Sequence, residues 1–100
     1  MNKLQNSEEN LQILRKIEKK PKHSQRKLAK ELKFSLGKLN YCLKALNQKG
    51  LIKINNFQEN KNKINYFYAL TPKGINYRIS LTIKFMNKKM KEYDDLKKEI

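Results

Sequence analysis

Hydrophobic positions along the chain follow a helical period three times, then an extended one, then a long helical one. Ser7, followed by Glu8 and Glu9, reads as a capped helix start with acids in the favourable first turn. Leu11, Leu14 and Ile17, with Ile13 adjoining, give that helix one apolar face; Lys16, Lys19 and Lys20 gather at its end, and Pro21 stops it. Residues 1–6 read as a loose polar tail. A second helix starts after Ser24 and buries Leu28, Ala29 and Leu32. Lys33-Phe34 make a tight turn, and Ser35 caps a third helix. Leu36, Leu39, Leu43 and Leu46, with Cys42 beside them, fall on one side of it, while Gly37, Tyr41, Lys44 and Gln48 fall on the other, flanked by Lys38 and Asn40. Gly50, able to turn left-handed, ends it.

After Gly50 the period becomes two. Residues 51–57 and 64–70 are rich in β-branched and aromatic side chains, with Ile64, Tyr66, Tyr68 and Leu70 alternating onto one face. They predict a β-hairpin with a polar six-residue tip over 58–63, whose aromatics serve packing. Thr71-Pro72 then signals a helix start, and the pattern continues without another proline to Ile100, about 43 Å if wholly helical. Ile75, Ile79, Ile83, Met86, Met90 and Tyr93 form a stripe, widened by Leu81, Phe85 and Leu96. A body of roughly 70 residues has a radius of gyration near 11 Å, too small to cover such a stripe. Its outer half needs a partner, and a second copy of the same helix is the simplest one. The competing reading folds the helix back at Asn87-Lys88-Lys89 or leaves its end frayed.

The fold class expected is mainly α with a small β-hairpin: a helix-turn-helix followed by a wing and a long C-terminal helix. Residues 1–71 would be the winged domain, and 72–100 the amphipathic dimerisation helix formed by Ile79, Ile83, Met86, Met90 and Tyr93. In a helix-turn-helix the second helix lies in the major groove of DNA with its N-terminal residues nearest the base edges. Asn40 is the candidate for reading adenine, because an amide donates and accepts at once, and Lys38 and Lys44 reach guanine or phosphate. In the wing, Lys61 and Lys63 either touch a phosphate or the minor groove, or belong to a plain solvated loop.

Charge sharpens the picture. The chain of 100 residues carries 24 Lys and Arg against 9 Asp and Glu, a net +15, which points to a polyanion. Sixteen basic and five acidic side chains lie in residues 1–71, against eight and four in 72–100, so the excess sits mainly with the helix-turn-helix. Lysine and asparagine richness also fits an AT-rich coding bias, which would not suppress acids. Cys42 and His23 each stand alone, so no disulfide, metal cluster or Ser-His-Asp relay is supported, and no cofactor is expected. Cys42 reads as a small buried hydrophobe, and His23 falls in the loop before Ser24. No apolar run approaches the roughly 20 residues that cross a membrane, the start MNKLQNSEEN lacks a signal-peptide core, and the acids at Glu92, Asp94, Asp95 and Glu99 oppose an anionic membrane surface. A cytoplasmic, nucleoid-associated protein is expected. An enzyme is the reading least supported, since paired carboxylates and phosphate-cradling glycine loops are missing from the sequence. RNA binding ranks below DNA binding, and an interaction adaptor with only non-specific nucleic-acid binding is the alternative kept open.

The segments SLGKLNYCLKALNQKGLIKINNF, NKNKINYFYALTPKGI and LTIKFMNKKMKEYDDLKKEI together resemble the small MarR-type winged-helix regulators associated with exopolysaccharide gene clusters. The resemblance spans about residues 11–100, and its recognition and terminal helices are more specific than the LTPKG element. It implies a bacterial homodimeric regulator binding double-stranded DNA, with Ser35, Gly37, Lys38, Asn40, Tyr41 and Lys44 at the groove and Asn60, Lys61 and Lys63 in the wing. Two departures limit it. Larger members have extra helices at both ends that form a dimer body and often a pocket for phenolic ligands; this chain has one terminal helix, which argues against a small-molecule effector. Their wing usually carries an Asp and Arg pair, whereas this one offers Glu59, Lys61 and Lys63, and lysine lacks the bidentate fork of arginine.

Overall fold

The computed structural model describes the backbone of residues 3–19, 24–60 and 63–100, and the side chains of 7–19, 24–56 and 67–100. Four helices and a hairpin follow in the order α1 (Lys3–Lys19), α2 (Gln25–Leu32), α3 (Leu36–Gln48), β1 (Ile52–Asn60), β2 (Lys63–Leu70) and α4 (Pro72–Lys97). Three of the helices begin where a hydroxyl can satisfy a free amide. The Lys27 amide donates to Ser24 Oγ at 3.2 Å, the Lys38 amide to Ser35 Oγ at 3.1 Å and the Gly74 amide to Thr71 Oγ1 at 3.0 Å. Helix α1 departs from expectation. It starts at Lys3, not at a Ser7 cap, so residues 3–6 are helical and no tail; Lys3, Leu4 and Gln5 are good helix formers that let an existing helix extend. The expected stop at Pro21 and the loop with His23 lie outside the described residues.

Helices α2 and α3 end alike. Lys33 turns left-handed (φ 61°) and Phe34 N–H reaches back to the Ala29 carbonyl at 2.9 Å; Gly50 turns left-handed (φ 72°) and Leu51 N–H reaches the Leu46 carbonyl at 3.0 Å. Both are Schellman endings. At Gly50 only the backbone angle favours glycine, since an added β-carbon would meet open space. Lys33 takes the same angle with a β-carbon, at a cost of about 1 kcal/mol.

The core gathers one face of each element. Ile13, Leu14 and Ile17 of α1 meet Leu28 and Ala29 of α2, Leu39, Cys42, Leu43 and Leu46 of α3, and Leu51, Ile52 and Tyr68 at the base of the hairpin, with Leu32, Phe34, Ile54, Leu70 and Tyr77 packed around them. Leu36, expected on the buried side, is instead exposed, because it sits at the first helical position, before α3 comes down onto the core. The antiparallel hairpin pairs Ile52 with Leu70 and Ile54 with Tyr68, and continues to Asn60 opposite Lys63 with an irregularity after Gln58. The six-residue tip is therefore too long an expectation: the ladder absorbs Gln58, Asn60 and Lys63, and the extra residue, Glu59, is accommodated as a bulge.

The start of α4 is fastened to the end of α3. Thr71 Oγ1 donates to the Gly50 carbonyl at 2.6 Å, Thr71 N–H to the Leu51 carbonyl at 3.1 Å, and Lys73 Nζ to the Lys49 carbonyl at 3.1 Å. A β-carbon on Gly74 would stand 1.9 Å from the Leu51 oxygen, so only glycine permits this approach. From there α4 runs unbroken through Asn87-Lys88-Lys89, without the fold-back, for about 39 Å. Leu81 is its last buried residue, and the molecule measures 63 × 26 × 26 Å with a radius of gyration of 16.1 Å. A compact chain of this length would have about 13 Å. The difference is the projecting helix.

Gly74→Ala is expected to destabilise by about 3 kcal/mol, through a backbone clash, while Lys33→Gly should stabilise by roughly 0.5 to 1 kcal/mol. Urea unfolding followed by circular dichroism checks both, and a neutral Gly74→Ala would contradict the close approach.

Candidate nucleic-acid interface

Leu39, Cys42, Leu43 and Leu46 hold α3 in the core, and this fixes what its other side presents. Gly37, Asn40, Tyr41, Lys44 and Gln48 are all exposed, Tyr41 at 58% despite its size. Among the described residues, none of the hairpin or of α4 covers them. Ser35 is exposed at the N-cap; its oxygen is used by the Lys38 amide, and its proton stays free to rotate toward an external acceptor. Gly37 has neither a left-handed angle nor any atom within 4 Å of an added β-carbon. As the second residue of α3, Gly37 costs less than the roughly 0.5 to 1 kcal/mol of a mid-helix glycine relative to alanine, and no described contact requires it here.

Tyr41, Asn40 and Lys44 line one groove with Leu43, Gln25 of α2 and Ile54 of β1. The groove joins three elements around the reader face. Sequence reasoning missed Gln25 and Ile54: Gln25 is simply the residue after a cap, and Ile54 looks like one more strand hydrophobe. Of the wing residues, Lys61 lies outside the described residues, and Asn60 and Lys63 are described only as a backbone pair across the strands.

Lys38 is placed differently from its neighbours. Its ammonium stands 2.6 Å from Glu9 Oε1 of α1 and 4.7 Å from the centroid of the Phe34 ring, so it bridges α1, the turn and α3. A phosphate or a guanine must compete with Glu9 for it. Just inside, Cys42 is buried; burial pushes its thiol pKa up from the ordinary 9.0, with the Glu9 carboxylate adding to the rise and Lys38 opposing it. A raised thiol pKa means the folded state holds the neutral form, so this contribution to stability is intact below pH 9.0 and is lost as pH rises through the elevated value. The site asks for no thiolate chemistry, and among the described residues no group of three or more His, Cys, Asp and Glu is placed to hold a metal.

Along α4 the stripe is uncovered in order. Ile79, Ile83, Met86, Met90 and Tyr93 are exposed by 43%, 48%, 53%, 58% and 65%, while Leu81 and Phe85, expected in the same stripe, turn toward the body. Arg78 pairs with Glu18 of α1 at 2.6 Å and anchors the near half. Among the described residues no helix is long and apolar enough to cross a membrane.

Residues 10–53 match the family described as winged helix-turn-helix DNA-binding. No curated protein matches the chain. Among solved structures, it is similar to Staphylococcus aureus MarR in complex with salicylate and kanamycin (TM-score 0.66, 22% identity, 86% of this chain and 56% of that one). It is also similar to Streptococcus pneumoniae FabT in complex with DNA (TM-score 0.62, 23% identity, 86% and 58%). A third is the PcaV transcriptional regulator of Streptomyces coelicolor (TM-score 0.69, 13% identity, 91% and 74%). The chain thus spans a little over half the length of the first two, and the architecture it shares with all three is the winged helix-turn-helix.

Glu9→Gln should release Lys38. Affinity for any duplex is expected to rise by up to about fivefold, and the plot of log K against log salt to steepen by about one unit. Fluorescence anisotropy at several salt concentrations reads both, and an unchanged slope would show that Lys38 serves only to tie α1 to α3.

Proposed function

We propose that this protein is a sequence-specific, double-stranded-DNA-binding transcription regulator that acts as a homodimer on an inverted repeat. The observation that carries the reading is an uncovered polar face, with Asn40, Tyr41 and Lys44 at its centre, on a helix whose leucines are locked into a winged scaffold. Residues 1–71 form the DNA-binding part, with Ser35, Gly37, Lys38, Asn40, Tyr41 and Lys44 at the major groove and Asn60, Lys61 and Lys63 in the wing. Residues 72–100 form the dimer through Ile79, Ile83, Met86, Met90 and Tyr93. Two copies joined this way present two readers to half-sites one turn, about 34 Å, apart. Control of exopolysaccharide or surface-polysaccharide genes follows from the resemblance of the recognition and terminal helices to that group of regulators. The DNA held by FabT and the salicylate held by MarR belong to those proteins; for this chain DNA is the proposed ligand.

Gly37 supports close contact at the head of α3. Bare backbone there weakens the helix and helps nothing internal, whereas it lets a phosphate or base edge approach the first-turn amides. An adaptor without sequence reading is favoured by one observation, the capture of Lys38 by Glu9, and it predicts salt-sensitive binding that is equal on all duplexes.

Selection of bound duplexes from a random pool near physiological salt should recover an inverted repeat. On that site Asn40→Ala is expected to cost about 1 to 3 kcal/mol and to relax preference at one base pair; equal weakening on a scrambled duplex would sink the assignment. Gly37→Ala should raise thermal stability while lowering affinity, a split that a purely structural glycine would not give. Paired substitutions Met86→Glu and Met90→Glu should leave monomers in sedimentation, and a dimer that survives them would remove the α4 stripe as its interface.

A further inference from the structure

We propose that the outer side of α1 and α2 is a second DNA contact, a cationic track that holds the backbone of duplex flanking the segment at α3. The proposal rests on the reading that α3 meets duplex DNA. Two shallow depressions lie next to one another there. One, between α1 and α2, is lined by Gln12, Arg15, Lys16, Lys19, Glu31 and Leu32; the other, on α2, by Ser24, Arg26, Lys27, Lys30 and Glu31. Glu31 belongs to both, so the two are continuous, and it is the one acid among the described residues lining either.

Of the acids of α1, Glu9 pairs with Lys38, and Glu18 pairs with Arg78 in a third depression that it lines with Arg15 and Lys19. Among the described residues none of Arg15, Lys16, Lys19, Arg26, Lys27 and Lys30 has an ion-pair partner. Six cations on two packed helices, with Glu31 the one acid lining the two depressions, repel one another and oppose folding. The core gains nothing from them, since it is built from the opposite faces, Ile13, Leu14 and Ile17 on α1 and Leu28 and Ala29 on α2. A polyanion removes the repulsion and gains by releasing its own counterions.

The track also begins at the reader. Gln25, the first residue of α2, lines the groove with Asn40, Tyr41 and Lys44, and Arg26 and Lys27 follow it directly. A duplex lying in that groove carries one charge about every 1.7 Å along its axis and meets α2 next as it leaves. To continue to Lys16 and Lys19 it must curve toward the protein, which phosphate neutralisation on one side favours. An acidic protein would match the charge but not the continuity with the reader groove. DNA accounts for both.

The test uses the full chain and two duplexes, one of the selected site alone and one with about 20 bp of flank on each side. The unaltered protein should bind the long duplex more tightly and with a steeper salt dependence. In the triple variant Arg15→Gln, Lys16→Gln, Lys19→Gln the slope on the long duplex should fall by about 2 to 3 and affinity at low salt by more than tenfold, with the short duplex unaffected. The pair Lys27→Gln, Lys30→Gln should act in the same direction by about two units, independently. Arg15, Lys19, Lys27 and Lys30 are exposed and Lys16 is half-exposed, and a cooperative melting transition at or above that of the unaltered protein confirms that each variant is folded, since removing the mutual repulsion raises it. An unchanged slope on the long duplex overturns the track, as does an equal loss on both duplexes, which would place these cations within the reader contact. Displacement of DNA by polyglutamate as effective as by duplex of equal charge would assign the surface to an acidic protein and overturn it too. The reader fails separately: an unaltered protein with no sequence preference that keeps the length effect loses the specific site and retains the track.

Discussion

The architecture turns on the contact between the carbonyls of Lys49, Gly50 and Leu51 and the first turn of α4. The chain leaves α3 by a left-handed residue, runs out and back through the hairpin, and returns to the same point, where Thr71 and Lys73 take up the exposed oxygens and Gly74 lets the backbones touch. Three things are set at once there: the direction in which α3 exits the core, the base of the wing, and the angle at which α4 departs. One hydroxyl does much of this. Thr71 Oγ1 both accepts from the Gly74 amide and donates to the Gly50 carbonyl, so the cap of one helix is also the C-terminal partner of another.

Around that junction polar and apolar roles separate cleanly. The described core contains no buried charged side chain, so α3 can be held by leucines alone and keep its amide, phenol and ammonium groups outside. Among the described residues, the ion pairs between helices, Glu9 with Lys38 and Glu18 with Arg78, are on the rim and tie α1 to α3 and α4. Surface pairs of this kind add little stability, and their effect is to decide which cations face outward unpaired. Lys38 is withdrawn by this means, and Lys44 is not.

Much of this was legible in the sequence, and the failures have physical causes. Hydroxyl caps at Ser24, Ser35 and Thr71 and the glycine stop at Gly50 are short-range signals that one segment carries by itself, and they located three helix starts and one end. Ser7 has the same local signal, yet α1 continues through it, because a helix with good formers on both sides does not need to begin at each available cap. The hairpin tip is shorter than the polar stretch suggests, because strand pairing depends on backbone groups that Asn60 and Lys63 possess as well as any hydrophobe. The pairing of exposed Lys38 with Glu9 is not legible, because the two lie 29 positions apart in sequence and periodicity carries no information across that gap. For the same reason Gly74 looked like part of a common motif and nothing more; its need for a bare α-carbon arises from Leu51, brought near only by the completed fold. The polar face of α3 was readable from one helix alone. Its surroundings were not.

The progressive baring of α4 has a consequence for the amount of protein a cell must hold. A stripe that grows more exposed toward its tip contributes little to the free energy of a lone chain, and whatever comes to cover it contributes through mass action, as the logarithm of its concentration over its dissociation constant. In the homodimer proposed above, dilution acts as a mild denaturant would, first on the far turns of the helix, and the supply of the second copy sets how long the outer helix persists.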